Sequence, residues 1–263
     1  MQSPPDFEAL ARRFWLPELD AIVLMGSHAR GDAGAYSDID LVRFWKSGKT
    51  QPPPKISETE SLYIDGQLVV VSNLDDQGVE KIFTDPDAAS QSIKGLRAAK
   101  SLIDPAARFA AIQSRAHAFS WDSAMQKKAN AWASRQMVGW IEETHKAMEG
   151  LRRKDTGRLL NARFGLSWGM LGVMRVAGGI LLTGDNSAWD EIMSALGQES
   201  EWSRLCRRAF GIDGNALDDQ VLAGLHLFVL SVHIKQYHWT ADCLPKIHKA
   251  AEYISAFLQD WSA

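Results

Sequence analysis

Two short groups of residues near the N-terminus have the types and spacing that phosphate chemistry requires. The first is Gly26-Ser27-His28-Ala29-Arg30-Gly31, and the second is Ser37-Asp38-Ile39-Asp40-Leu41. Glycine lets the backbone approach a ligand closely, and N–H groups at a helix start, together with a serine hydroxyl, bind phosphate. We expect Ser27 to cap a short helical turn over His28–Gly31. Gly26 and Ser27 are therefore candidate phosphate-binding residues.

The second group carries two carboxylates, Asp38 and Asp40, in an alternating run from Ser37 to Phe44. On a strand this spacing places both carboxylates on one face and the side chains of Ile39 and Leu41 on the other. Carboxylate oxygens suit Mg²⁺, which keeps waters and takes further ligands from substrate phosphates. Two such metals, roughly 3.5–4 Å apart, activate an attacking hydroxyl and hold a leaving pyrophosphate. Asp38 and Asp40 are predicted to be catalytic metal ligands.

The elements that position these groups form a small mixed sheet. Leu19–Met25 is a short apolar run with β-branched residues, which predicts a buried strand that delivers the Gly-Ser turn. Asp65-Gly66 lies between two β-rich runs and predicts a hairpin. Trp45–Lys55 is rich in proline and glycine and predicts a connector. Further short elements are expected, namely helices at Asp6–Phe14, Asp76–Phe83 and Ala88–Gly95 and a strand at Leu102–Ile103.

The remainder of the chain is helical in pattern. Six amphipathic or apolar segments are predicted to be helices, namely Ser123–Arg153, Leu159–Leu182, Asn186–Leu196, Glu199–Phe210, Asp218–Tyr237 and Leu244–Trp261. Gly165, Gly169 and Gly172 in the second of these are expected to allow close helix packing. We therefore predict an α+β fold, with a mixed-sheet domain over residues 1–110 and an α-helical bundle over residues 111–263.

The order of strand, Gly-Ser, Ala-Arg-Gly, short loop and Asp-Ile-Asp resembles the nucleotidyltransferase superfamily, which has the polymerase-beta-like fold. The resemblance implies Mg²⁺-dependent transfer of a nucleoside monophosphate, AMP from ATP, to a hydroxyl group, with release of pyrophosphate. It implies nucleotide contacts from Gly26, Ser27, Arg30 and Ser37. From the residues alone, Arg30 has the alternative of pairing with Asp32, and Ser37 has the alternative of orienting the loop before Asp38.

The layout of a small sheet domain followed by helices looks like the antibiotic nucleotidyltransferases, the kanamycin type in particular. This implies a small-molecule acceptor similar to an aminoglycoside, with a role in antibiotic resistance. It also implies that an acid of the helical half, Glu142 or Glu143, acts as general base or contacts the acceptor. For any glutamate on an amphipathic helix, the alternative is a solvated face.

One departure from the superfamily pattern concerns its third acid, which normally stands on a strand next to Asp-x-Asp. The matching strand here is Gln67-Leu68-Val69-Val70-Val71-Ser72, and Val70 stands where the acid is expected. Three replacements are conceivable, namely Asp65, Asp75-Asp76 and Glu142-Glu143. The gap leaves two other hypotheses open: a transferase whose acceptor is a protein, and a degenerate domain that binds a nucleotide or a partner without transfer.

Composition and charge limit which partners and which cellular location are expected. The formal net charge is −3 and no basic block occurs, so no long nucleic acid is expected as a partner. The longest apolar stretch, Leu159–Thr183, contains Arg163 and Arg175, which predicts a buried helix and no membrane contact. Cys206 and Cys243 have neither metal spacing nor a disulfide framework, and the first residues lack the apolar core of a signal peptide. A cytoplasmic protein is expected, and its oligomeric state stays open.

Overall fold

The computed structural model of the chain describes residues 5–46 and 59–262, which form two compact units. The first unit runs to Ser120 and also contains Leu181–Asp185. The second unit consists of Trp121–Ile180 and the described residues from Asn186 onward. The predicted α+β class is confirmed, because the first unit contains a mixed sheet and most of the remainder is helical. The chain first passes from one unit to the other after Ser120.

Five strands form the sheet of the first unit in the order β3-β4-β2-β1-β5. These are β1 (Leu19–Leu24), β2 (Ile39–Trp45), β3 (Glu60–Ile64), β4 (Gln67–Leu74) and β5 (Lys100–Ile103). β2 and β4 are parallel, and the other neighbouring pairs are antiparallel. The predicted hairpin is confirmed: Asp65 and Gly66 have φ of 50° and 80°, as a two-residue turn of type I′ requires.

Five helices surround this sheet, namely α1 (Phe7–Phe14), α2 (Gly26–Arg30), α3 (Asp76–Thr84), α4 (Pro86–Ala98) and α5 (Arg108–Ala118). Aspartates cap three of them: the side chains of Asp6, Asp75 and Asp85 accept hydrogen bonds from N–H groups in the first turns of α1, α3 and α4. One face of the sheet, with Ile22, Leu41 and Val71 at its centre, packs against α1 in a fully buried cluster.

The predicted connector over Trp45–Lys55 differs from the structure at its first residue. Trp45 ends β2 and is buried, and its indole N–H donates to Asn73 Oδ1 at 3.1 Å. Burial of a large aromatic ring with a satisfied N–H extends the strand further than the turn-rich composition suggested. The rest of the predicted connector, apart from Lys46, lies outside the described residues.

Six helices form the second unit, namely α6 (Ser123–Arg153), α7 (Thr156–Ala177), α8 (Ala188–Leu196), α9 (Glu201–Phe210), α10 (Leu217–Ile234) and α11 (Leu244–Ser262). Helix α6 has exactly the predicted bounds. Helix α10 packs against α7, α9 and α11. It is the one described helix whose length and composition would also suit a membrane span, a test that core helices of soluble proteins pass as well.

Helix α7 ends at Ala177, before the predicted end at Leu182. Gly178 and Gly179 follow, and Gly179 has a φ of +62°, which stops the helix and places its Cα beside the Trp121 indole. Leu181–Asp185 therefore leaves the helical unit and belongs to the first.

Two of the three glycines expected to permit close helix packing in α7 do so. A Cβ atom at Gly165 would lie 2.6 Å from Glu143 Cγ, and one at Gly169 would lie 2.5 Å from the Trp140 ring. In the described part of the chain, no atom outside the backbone of α7 lies within 4 Å of a Cβ position at Gly172, so the expectation is wrong there.

Candidate active site

The turn between β1 and α2 is shaped around one carboxylate. Gly26 has a φ of +65°, a conformation that glycine adopts without strain. The space that a Cβ atom would need at this residue is occupied by Oδ2 of Asp40. Any residue with a side chain would collide with the carboxylate and would also have to adopt a positive φ. Both the available space and the backbone conformation therefore require glycine here.

Helix α2 begins earlier than the sequence suggested. The residue at the N-cap is Met25, whose carbonyl accepts from Ala29 N, and no side chain caps the helix. Ser27 therefore lies in the first turn, and the prediction that it is the N-cap is wrong. The reason is that Met25 N donates a hydrogen bond to the carbonyl of Asp40 at 2.9 Å. This hydrogen bond fixes Met25 and directs the chain into the helix at Gly26.

The two predicted metal ligands stand at the start of β2. Asp38 immediately precedes the strand and Asp40 is its second residue. Both side chains are partly buried, whereas Ile39 and Leu41 between and after them are fully buried. The predicted alternation is thus present, and the apolar neighbours anchor the strand that carries both carboxylates.

The electrostatic environment of Asp40 disfavours its charged form. Burial raises the pKa of Asp40 above its ordinary value, and the neighbouring charge of Asp38 raises it further. Asp185 acts in the same direction, whereas His28 and Arg30 lower the pKa. A partly buried carboxylate beside a second carboxylate would be stabilised in its charged form by a bound cation.

Arg30 and Ser37 both have partners within the protein. The Arg30 side chain donates from Nε to Asp32 Oδ2 at 3.2 Å and from Nη1 to the Thr183 carbonyl at 3.4 Å. The structure therefore contains the pairing with Asp32 that the sequence left open. Ser37 Oγ accepts from Gly34 N at 2.9 Å, which orients the loop before β2.

The position of the missing third acid follows from the strand register. Val70 of β4 is the direct partner of Asp40 in the parallel β2–β4 pair, so the two side chains point to the same face. Three of the acids considered as replacements are engaged elsewhere. Asp65 forms the hairpin turn, Asp75 caps α3, and Asp76 pairs with Arg108.

The donor set around β2 fits magnesium in composition. Two carboxylates are sufficient for an ion that keeps several waters and takes oxygens from substrate phosphates. Among residues 5–46 and 59–262, no three His, Cys, Asp or Glu side chains are grouped closely enough to hold a metal by themselves. Asp38 and Asp40 would therefore supply only part of the shell of such an ion, and phosphate oxygens and waters would supply the rest.

Glu142 and Glu143 lie on α6 in the second unit and have different environments. Lys146 donates to Glu143 at 2.7 Å and also lies 2.9 Å from Glu142, and these two carboxylates raise the pKa of Lys146. Glu142 is exposed, whereas Glu143 is packed against Gly165 with only 16% of its side chain accessible. Within the described part of the chain, Glu143 Oε2 is buried and has no hydrogen-bond partner.

A surface pocket of about 680 Å³ opens beside this part of α6. It is lined by one face of α6, including Glu142, His145 and Glu149, and by Tyr253 and Phe257 of α11. Glu149 is already paired with Arg153. The pocket walls thus carry charges of both signs, which is not the uniformly acidic lining expected for a polycation.

Two residues near Asp40 were missed by the sequence reasoning. His28 lies against Phe7 with ring centroids 5.4 Å apart, and its Nε2 atom is buried without a hydrogen-bond partner among the described residues. Its place inside the Gly-Ser motif was an available signal. Asp185 had no such signal, because it is far from Asp40 along the chain.

Comparison with known proteins agrees with this geometry. Residues 8–94 match the model of the family described as Nucleotidyltransferase domain, so this part of the chain is similar to that family. No curated protein matches the chain. The similar solved structures include a nucleotidyltransferase-like protein from Exiguobacterium sibiricum 255-15, with 11% identity and a TM-score of 0.49, covering 97% of this chain and 90% of that chain. None of these matches supports the kanamycin type.

Proposed function

We propose that this chain transfers a nucleoside monophosphate, AMP from Mg-ATP, to a hydroxyl group of a small molecule and releases pyrophosphate. One observation carries the proposal: two carboxylates, Asp38 and Asp40, lie beside a Gly-Ser turn whose glycine makes room for Asp40. The match of residues 8–94 to the nucleotidyltransferase domain family supports it.

The proposed reaction is a displacement at the α-phosphorus of the nucleotide. The acceptor oxygen attacks the α-phosphorus of the nucleotide, the bond from that phosphorus to the bridging oxygen breaks, and pyrophosphate leaves with the electron pair. Asp38 and Asp40 would hold Mg²⁺, which would supply charge neutralisation for the phosphates and the leaving group. Catalysis by the protein then consists of positioning and of accepting the proton of the hydroxyl.

Gly26 and Ser27 are proposed to contact the nucleotide phosphates. The first N–H groups of a helix have no partner within the helix, and the serine hydroxyl adds a donor. Arg30 and Ser37 are proposed to act mainly by holding the surrounding loops, since each already has a partner within the first unit.

Glu143 is the better of the two candidates for contact with the acceptor. Its buried Oε2 lacks a partner among the described residues, which is costly unless a ligand supplies a donor. Glu142 is exposed to solvent and paired with Lys146, as expected for a glutamate on the solvated face of an amphipathic helix. We propose Glu143 as general base or acceptor contact, with an aminoglycoside-like antibiotic as one acceptor class to test.

The test is release of pyrophosphate in the presence of Mg²⁺ from ATP, GTP, CTP and UTP against a panel of aminoglycosides, lincosamides and simple polyols. Asp38→Asn/Asp40→Asn is the control. We expect release that depends on one acceptor and is lost in the control. No release with any acceptor, while metal-dependent ATP binding persists, would exclude these acceptors and leave a protein acceptor as the alternative.

A second candidate is a degenerate domain that binds nucleotide without transferring it. Val70 favours this reading, because it places an apolar side chain beside Asp40 where the superfamily carries an acid. Nucleotide binding together with a complete lack of pyrophosphate release across protein and small-molecule acceptors is the result that this candidate predicts.

A further inference from the structure

The pocket of about 680 Å³ on the second unit is lined by side chains of α6 and α11 and by one residue of the first turn of α7. Its volume lies within the range of roughly 300–1,000 Å³ that is typical of small-molecule sites. All lining residues belong to the second unit, so the pocket is complete within that unit. The proposed transfer reaction uses none of them, which leaves the pocket without an assigned role.

Aromatic side chains of α11 form one wall of this pocket. Tyr253 and Phe257 are four residues apart and therefore lie on the same face of the helix. Phe257 stacks on Trp261, with ring centroids 5.6 Å apart and an angle of 27° between the ring planes, which orients the Phe257 ring. Tyr253 is 57% exposed. Two aromatic rings accessible from one pocket favour a ligand with a flat, apolar body.

The charged groups of the pocket are paired with two exceptions. Most of the lining Asp, Glu, Lys and Arg side chains form ion pairs within the second unit, namely Glu142 with Lys146, Glu149 with Arg153, and Arg158 with Asp155. Arg152 and Asp260 also line the pocket, and within residues 5–46 and 59–262 their side chains make no hydrogen bond or ion pair. One cation and one anion are therefore available to a ligand.

We propose that this pocket binds a small zwitterionic molecule with an aromatic ring, of the chemical class of the aromatic amino acids. The ring packs against Tyr253 and Phe257, the carboxylate of the ligand pairs with Arg152, and its ammonium group pairs with Asp260. Charge complementarity carries this choice, because a purely anionic or purely cationic ligand would use only one of the two available charges. The inference goes beyond the proposed function and does not depend on it, since the pocket contains none of the groups proposed to bind metal or nucleotide.

The proposal is tested with three fluorinated probes, whose fluorine NMR line widths are measured with the full chain in the absence of nucleotide. Fluorotryptophan carries both charges, fluorotryptamine lacks the carboxylate, and fluoroindole-propionate lacks the ammonium group. The fluorine signal comes only from the probe, so the ten tryptophans of the chain do not interfere. We expect fluorotryptophan to bind roughly threefold to tenfold more tightly than either of the others, because each charge pair forms at an exposed residue.

Substitution of each charge should affect only the probes that carry its partner. Arg152→Gln should weaken the two carboxylate probes roughly threefold to tenfold and leave fluorotryptamine unchanged. Asp260→Asn should weaken the two ammonium probes by a similar factor and leave fluoroindole-propionate unchanged. Arg135→Gln is the matched control, because Arg135 is exposed on the same helix as Arg152 but lies outside the pocket.

The aromatic wall has a control of its own. Tyr253→Ala should weaken all three probes, whereas Tyr237→Ala should weaken none, because Tyr237 is 89% exposed and lies outside the pocket. The inference would be overturned if no probe bound at millimolar concentration, if Arg152→Gln weakened all three probes equally, or if Arg135→Gln had the same effect. Pyrophosphate release decides the proposed function separately, so the failure of one proposal leaves the other intact.

Discussion

Asp40 lies against the Cα atom of Gly26, and its Oδ2 fills the space in which a side chain at residue 26 would begin. The Gly-Ser motif and the Asp-Ile-Asp motif are separate in the sequence but are in direct steric contact in the fold. The glycine is required by the carboxylate as well as by its own positive φ. This contact explains why the turn and the acidic strand have to occur together for the site to form.

Gly26→Ala should abolish nucleotidyl transfer, because the added Cβ must displace the Asp40 carboxylate and the positive φ adds strain of about 1 kcal/mol. Gly34→Ala is the control, since a Cβ atom at this residue would have Ser37 Oγ at 3.9 Å as its nearest neighbour, and the substitution needs no rearrangement. Pyrophosphate release measures both variants. Wild-type activity in Gly26→Ala would contradict the role given to Asp40.

Asp40→Asn should stabilise the metal-free protein while it removes activity. The folded-state pKa of Asp40 is raised, so the unfolded state ionises first as pH rises, and the folded state loses stability between the two pKa values. The gain from Asn should therefore be present at about pH 7 and absent at about pH 3, where both states are protonated. We expect roughly 1–3 °C in the midpoint of thermal unfolding at neutral pH.

Asp65→Asn is the control for this measurement, because Asp65 is exposed in a turn. Addition of Mg²⁺ should raise the midpoint of the wild type and leave that of Asp40→Asn nearly unchanged, since a ligand stabilises only a state that binds it. A lower midpoint for Asp40→Asn at neutral pH would show that the carboxylate has a stabilising partner.

Gly165→Ala should reduce transfer through its effect on Glu143. The new Cβ would lie 2.6 Å from Glu143 Cγ, so that side chain must leave its position. Gly172→Ala on the same helix is the control, because nothing lies within 4 Å of its Cβ position and the helix should gain about 0.5–1 kcal/mol. If Glu143 contacts the acceptor, Gly165→Ala and Glu143→Gln should both lower transfer and leave ATP binding intact. Full activity in both would refute the role of Glu143.

Ser231→Ala should destabilise the helical unit by about 1–3 kcal/mol, because it leaves a buried donor without a partner. The Trp202 indole N–H donates to Ser231 Oγ at 2.9 Å, and both residues are fully buried. Ser167→Ala is the matched control: this hydroxyl is also buried but donates at 2.7 Å to the Arg163 carbonyl of its own helix, which has other partners. Urea unfolding compares the two, and equal losses would contradict the argument.

The sequence by itself determined the parts of the site that depend on neighbouring residues. The strand before Gly26, the alternation around Asp38 and Asp40 and the Asp65-Gly66 hairpin all follow from local period and turn chemistry. The bounds of the long helix α6 were predicted correctly, and local features mark both ends: Asp122 caps its start and Lys154 has a positive φ just after its end. In each case the physical cause acts over a few residues and can be read in order.

Tertiary structure alone decided which distant groups meet. The sequence did not indicate that Gly178-Gly179 would end α7 and send Leu181–Asp185 to the first unit, or that Arg30 would anchor this segment. The sequence also did not distinguish Glu142 from Glu143 as a candidate, whereas packing buries most of Glu143 and leaves Glu142 exposed. Such outcomes depend on contacts between residues far apart in the chain, whose energies are small individually and are settled only when the whole core is packed.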